Sequence, residues 1–169
     1  AMPIPPPKAL AAAKSDDGAT FSVGSPAFNL TFDAASLALL SVATTSKSSG
    51  RTQNFLLPTA DRGQKHSLWQ LNFTDCRCVM PHGWAGHAWQ LDSSSPTVNR
   101  SYTIAPVSHG GVKASLRWLG VSSPQSLHLL DVTVTITVPA QGSSMLTMRG
   151  HVHKRGQPGI CIQNMALPN

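Results

Sequence analysis

Glutamate is absent from this 169-residue chain, whose whole acidic complement is Asp16, Asp17, Asp33, Asp61, Asp75, Asp92 and Asp131. Charge is scarce altogether: 12% of the residues are Asp, Lys or Arg, against about 25% charged in an average soluble domain. Helical bundles and coiled coils draw on Glu and Lys for their exposed faces, so these architectures are excluded. So is any mechanism that needs a glutamate within these residues. Long apolar runs are missing too. Nothing approaches the roughly 18 consecutive apolar residues of a membrane-spanning helix, and no membrane span is expected. No window of helical length shows a 3.6-residue period.

Catalytic signatures are equally scarce. There is no G-x-S-x-G elbow, no phosphate-binding loop and no H-E-x-x-H, the local patterns that would announce acyl transfer, nucleotide binding or zinc hydrolysis. Glycoside hydrolysis normally requires two carboxyl groups flanking the scissile bond, and the aspartates show no paired pattern. No catalysis is expected within these residues, and no cofactor is called for. The net charge of +6 raises the question of nucleic acid. However, the cations are scattered singly from Lys8 to Arg155, with Lys154-Arg155 the one adjacent pair. A chain with few acids has a high pI without any basic patch, so no nucleic-acid partner is expected. The three cysteines are Cys76, Cys78 and Cys161. The first two would share one strand face, which disfavours a bridge between them and leaves either open to Cys161.

What is abundant is hydroxyl: 20 Ser and 13 Thr, about a fifth of the chain. Residues 1–18 are rich in Pro and Ala and read as a flexible tail or cloning linker, with Ala1-Met2 resembling an expression remnant. From about Thr20 the pattern changes to period-two alternation. Phe28, Leu30 and Phe32 fall on one side of a strand, Asp33 to Ser36 supply turn chemistry, and Leu37–Thr44 returns. Leu68–Phe73 alternates again. Val112–Val121 and Leu129–Val138 follow, the latter with Val and Ile on one face and Thr on the other, and Ser144–Lys154 and Ile160–Leu167 complete the set. Gly and Pro punctuate the joins. About nine to twelve strands without a helix predict an all-β domain over residues 19–169, a two-sheet antiparallel β-sandwich.

Met80–Trp89 concentrates the unusual side chains: His82, Trp84, His87 and Trp89, on a loop punctuated by Pro81 and two glycines. Trp faces stack on the apolar side of pyranose rings while His can bond their hydroxyls. The loop, with Trp118, is therefore a candidate carbohydrate-binding set; the same rings would serve equally as plugs at one end of a sandwich. His151-Val152-His153 points two imidazoles to one side of a strand, a spacing that suits a metal if a third ligand joins them, and otherwise leaves two solvent-facing histidines. Asn29, Asn72 and Asn99 each head an N-x-S/T sequon. In a secreted or secretory-pathway protein they are glycan acceptors, provided that those on strands face outward.

The order of these strands resembles the β-supersandwich (galactose-mutarotase-like) domain at the N-terminus of many large glycoside hydrolases. Phe28–Asp33 followed by Ser36–Val42 is similar to its opening hairpin, x-L-x-F-D-x-x-(T/S)-G-x-L-x-x-L. Ser67–Phe73 resembles its L-W-x-L-x-F strand, and Leu116–Gly120 with Asp131–Ile136 its L-x-W-x-x and D-V-x-V-T-V strand pair. The likeness runs from about Phe21 to Pro168. One departure is the hairpin turn, where Ser36 runs directly into Leu37 without the usual Gly. Another is the catalytic His and Glu of galactose mutarotases, which a chain without Glu cannot supply. The resemblance implies a non-catalytic accessory domain of a secreted, glycosylated carbohydrate-active enzyme. Its partners would be a downstream catalytic domain, which the sandwich supports, and a glycan or polysaccharide. Two further readings come from other classes: a protein–protein interaction module, and a small metalloprotein using His151 and His153.

Overall fold

The structure, a computed structural model, describes residues 11–25, 28–46, 49–55, 67–75, 89–107, 111–122, 128–139, 146–155 and 160–166. Among these residues the chain is all-β and antiparallel, as expected, with twelve strands and no helix. Their hydrogen bonding makes three sheets, an arrangement consistent with a β-sandwich. Alternation in a sequence reveals which residues share a face, but not which strands are neighbours.

The first sheet is a five-stranded meander in chain order: β1 (Ala11–Lys14), β2 (Thr20–Ser25), β3 (Phe28–Asp33), β4 (Leu39–Thr45) and β5 (Thr52–Asn54). The second has β8 (Asn99–Val107), β9 (Gly111–Ser122), β10 (His128–Val138) and β11 (Thr147–Lys154) side by side. The third sets β6 (Gln70–Asp75) between β7 (Trp89–Asp92) and β12 (Ile160–Ala166).

The tail expected over residues 1–18 gives way at Ala11 to a paired strand, with Ala11 opposite Gly24 and Lys14 opposite Phe21. Ala-Ala-Ala-Lys has little strand propensity of its own. Its order comes from contacts: backbone pairing with β2, and the Lys14 ammonium placed 5.7 Å from the centroid of the Tyr102 ring.

Apolar parity builds the core. On β10, Val132, Val134, Ile136 and Val138 are buried while Thr133, Thr135 and Thr137 between them are partly exposed. On β9, Val112, Ala114, Leu116 and Trp118 face the same way. These rows join Phe21, Val23, Leu30 and Phe32 of the five-stranded sheet and Leu71 and Leu91 of the three-stranded one in a single apolar cluster. Rings link the layers: Phe21 stacks on Tyr102 of β8 with centroids 3.8 Å apart and on Phe32 at 5.0 Å.

Two backbone features set the frame. At Gly120, with φ +63°, the β9–β10 ladder passes from the Trp118–Val132 pair to the Val121–Leu130 pair, so two residues of β9 oppose one of β10. This bulge lets Val121 rejoin the core face beyond it. In the β3–β4 hairpin the Asp33 carboxylate accepts from the Ser36 amide at 2.6 Å and the Ser36 hydroxyl at 2.7 Å. The Leu37 amide in turn donates to the Asp33 carbonyl at 2.9 Å. Closing this turn puts Leu37 at φ +59° although its side chain is fully buried. A left-handed backbone is costly for any residue with a Cβ.

Candidate functional site: the outer face of the four-stranded sheet

The residues alternating with the buried rows of β9 and β10 and the partly buried ones of β8 and β11 form an outward surface whose register is fixed by the ladders. Arg117 lies opposite Thr133, and Thr133 opposite His151; Ser115 lies opposite Thr135, and Thr135 opposite Arg149; Lys113 lies opposite Thr137, and Thr137 opposite Thr147. Beyond β9, Ser101 and Thr103 of β8 continue two of these rows. Lys113, Arg117, Arg149 and His151 are all exposed. None of their side chains makes an ion pair or hydrogen bond among the described residues. Strand rise and strand spacing put the Cα atoms of Lys113, Arg117 and Arg149 about 12–14 Å from one another, with hydroxyl side chains between them.

Among the described residues one acid lies on this face, and it is engaged. Asp131 accepts from Arg155 Nε at 3.0 Å on both carboxylate oxygens, from Arg155 Nη2 at 2.9 Å, and from the Gly120 amide at 2.8 Å. Partial burial of Asp131 opposes its ionisation. The Arg155 and Gly120 hydrogen bonds, with the charges of Arg155 and His153, outweigh that effect and hold the carboxyl below its usual value. With its acid neutralised by Arg155, the face keeps the net positive charge of Lys113, Arg117 and Arg149. Sequence reading missed this site because the three cations stand far apart in the chain. Their period-two placement opposite buried neighbours was the available signal, but it needed the strand register to become a patch.

The predicted site residues fall in several places. Trp118 is a correction: it is fully buried, edge-on to Trp69 with centroids 5.8 Å apart, and its Nε1 donates to the Ser93 carbonyl at 3.1 Å. Its parity with Leu116 makes it a core ring and removes it from any glycan-contacting surface. Trp89 opens β7 opposite Phe73, whereas His82, Trp84 and His87 lie outside the described residues, as do Cys76 and Cys78. Cys161 pairs with Thr74 on β12.

His151 and His153 do share the outward face of β11, opposite Thr133 and Asp131. Among the described residues no three His, Cys, Asp or Glu gather to hold a metal ion, and the acid beside His153 is taken by Arg155. Of the sequon asparagines, Asn99 is exposed at the start of β8. Asn29 stands partly exposed on β3, on the side opposite buried Leu30 and Phe32. Asn72 sits mid-strand on β6, paired with Gln90 and Asn164.

Compared with protein-family models, curated proteins and solved structures, the chain matches none of them.

Proposed function

We propose that this chain is a non-catalytic accessory β-domain of a secreted carbohydrate-active enzyme of the glycoside hydrolase kind, which supports a catalytic domain and contacts glycan. The observation that carries the reading is the Asp33–Leu37 turn. In the resembled hairpin motif the residue after the Thr/Ser is glycine, the residue suited to a positive φ. Leu37 occupies that position here and takes φ +59°. A left-handed backbone at the position of the motif's glycine supports the reading although the side chain differs. The two strands of the resembled L-x-W-x-x and D-V-x-V-T-V pair stand as neighbours, with Leu116 opposite Val134 and Trp118 opposite Val132.

The test has two parts. Incubated with a panel of polysaccharides, the chain should release no reducing sugar; measurable turnover would overturn the non-catalytic reading. In native gels cast with the same polysaccharides, at least one should retard it. Unretarded migration in every gel would remove the glycan-contacting role.

A further inference from the structure

The outer face of β8–β11 specifies more than a glycan in general. We infer that it is a docking surface for an anionic polysaccharide, one whose sulfate half-esters or uronate carboxylates are separated by neutral sugar hydroxyls. This rests on the glycan-contacting reading above and names the ligand class for it.

Three properties converge. The first is charge complementarity. Lys113, Arg117 and Arg149 are exposed and have no partner among the described residues, and the one acid of the face, Asp131, is held by Arg155. Among the described residues nothing on the sheet neutralises the three cations, so an anion meets a standing positive field. The second is spacing. The cations stand about 12–14 Å apart on the pleated surface, whereas duplex DNA presents a charge about every 1.7 Å along its axis. Nucleic acid would leave most of its phosphates facing hydroxyls here. A polymer with widely separated charges matches the cations one by one.

The third property is what fills the gaps. Ser115, Thr133 and Thr135 present hydroxyls that both donate and accept, complementary to the hydroxyls of a sugar chain. The residues facing out from these strands include no Phe, Tyr or Trp on which bases could stack. Tyr102 is on the other side, stacked on Phe21. Lys113 and Arg117 are carried on β9, whose alternate residues Val112, Ala114, Leu116 and Trp118 are buried, and Arg149 on β11 beside partly buried Met148, so binding needs little rearrangement of the backbone.

The discriminating experiment measures retention of the 169-residue chain by three immobilised polymers: dextran, dextran sulfate and polygalacturonate. An oligothymidylate of matched charge serves as competitor. Dextran sulfate or polygalacturonate should retain the chain and dextran should not. Raising salt should release it, and the triple variant K113A/R117A/R149A should bind at least tenfold more weakly with a flatter salt dependence. The charge-keeping variant K113R/R117K/R149K should stay within about threefold of the parent, which separates loss of charge from loss of fold. Arg51→Ala, in the β4–β5 connection, should change nothing.

Equal retention by dextran and dextran sulfate, unaltered in the triple variant, would overturn this inference while leaving a neutral-glycan role intact. Preferential displacement by the oligonucleotide would overturn it in favour of nucleic acid. Failure to bind any of the three polymers, together with unretarded migration in every polysaccharide gel, would sink both this inference and the reading beneath it.

Discussion

Arg155 grips Asp131 from the end of the neighbouring strand, its Nε 3.0 Å from both carboxylate oxygens and its Nη2 2.9 Å from one of them. The same carboxylate accepts the amide of Gly120 at 2.8 Å, so it closes the β9–β10 bulge while it holds the sheet corner. Asp131→Asn, which keeps an acceptor for Gly120 and loses the ion pair, should destabilise the fold by about 1 kcal/mol at neutral pH. Asp131→Ala, which loses both, should cost about 2 kcal/mol.

The pH dependence follows from the direction of the shift. Because the folded state holds the Asp131 carboxyl below its usual 3.8, its contribution is present above that value and is lost as pH falls through the lowered one. Urea unfolding of parent and Asp131→Asn should therefore differ at pH 7 and converge as pH falls through the lowered value. A gap that persisted in acid would show that the ion pair is not its source.

At Leu37 two effects compete. Its left-handed backbone costs about 1–2 kcal/mol for a residue with a Cβ, while its buried side chain contributes about 3–5 kcal/mol against truncation. Burial wins, so both Leu37→Ala and Leu37→Gly should destabilise. Their order should invert the usual one, with Leu37→Gly the milder by about 1 kcal/mol because it also relieves the turn. Equal midpoints in thermal unfolding would argue against strain at this position.

Gly120 poses the same conformational problem without a side chain to weigh against it. Gly120→Ala should destabilise by about 1–2 kcal/mol, and Gly120→Asn by less, since Asn tolerates φ near +60° better than Ala. Hydrogen exchange offers a local readout, in which faster exchange should centre on the amides flanking the bulge.

Trp118 separates core from surface. Trp118→Phe removes the donor to the Ser93 carbonyl and leaves a smaller ring, a loss of about 1–3 kcal/mol. Retention on dextran sulfate should be unchanged under conditions where the variant stays folded. Weaker retention at unchanged stability would return the indole to the binding surface.

The extent of the fold that could be read from sequence followed the strength of alternation. Asp131–Val138, with Val and Ile alternating with Thr, predicts its strand and its buried face correctly, and Phe28–Thr44 predicts a hairpin whose turn the Asp33 and Ser36 side chains close. The β1 strand was hidden because Ala11–Lys14 has no pattern of its own and is ordered by Phe21 and Tyr102, which lie elsewhere in the chain. Trp118 was misread on its chemistry although its parity with Leu116 already marked it as core. The basic face lay beyond sequence reasoning for a different reason. Lys113, Arg117 and Arg149 become neighbours only through the exact pairing of three strands, and a slip of one residue would send each to the other side.

The placement of β12 has a consequence for how the chain reaches this state. Strands β1 to β5, and again β8 to β11, pair only with their neighbours in sequence, so each group can zip up through short loops as it emerges. The pairing of Ile160 with Asp75 and of Ala166 with Gln70 instead closes a loop of about half the chain. Such closures carry the larger entropic penalty and come late. Until the last strand arrives, the β6 edge at Gln70–Asp75 is an open template for another chain. The arrival of β12 is thus also the step that shields β6 from neighbouring chains.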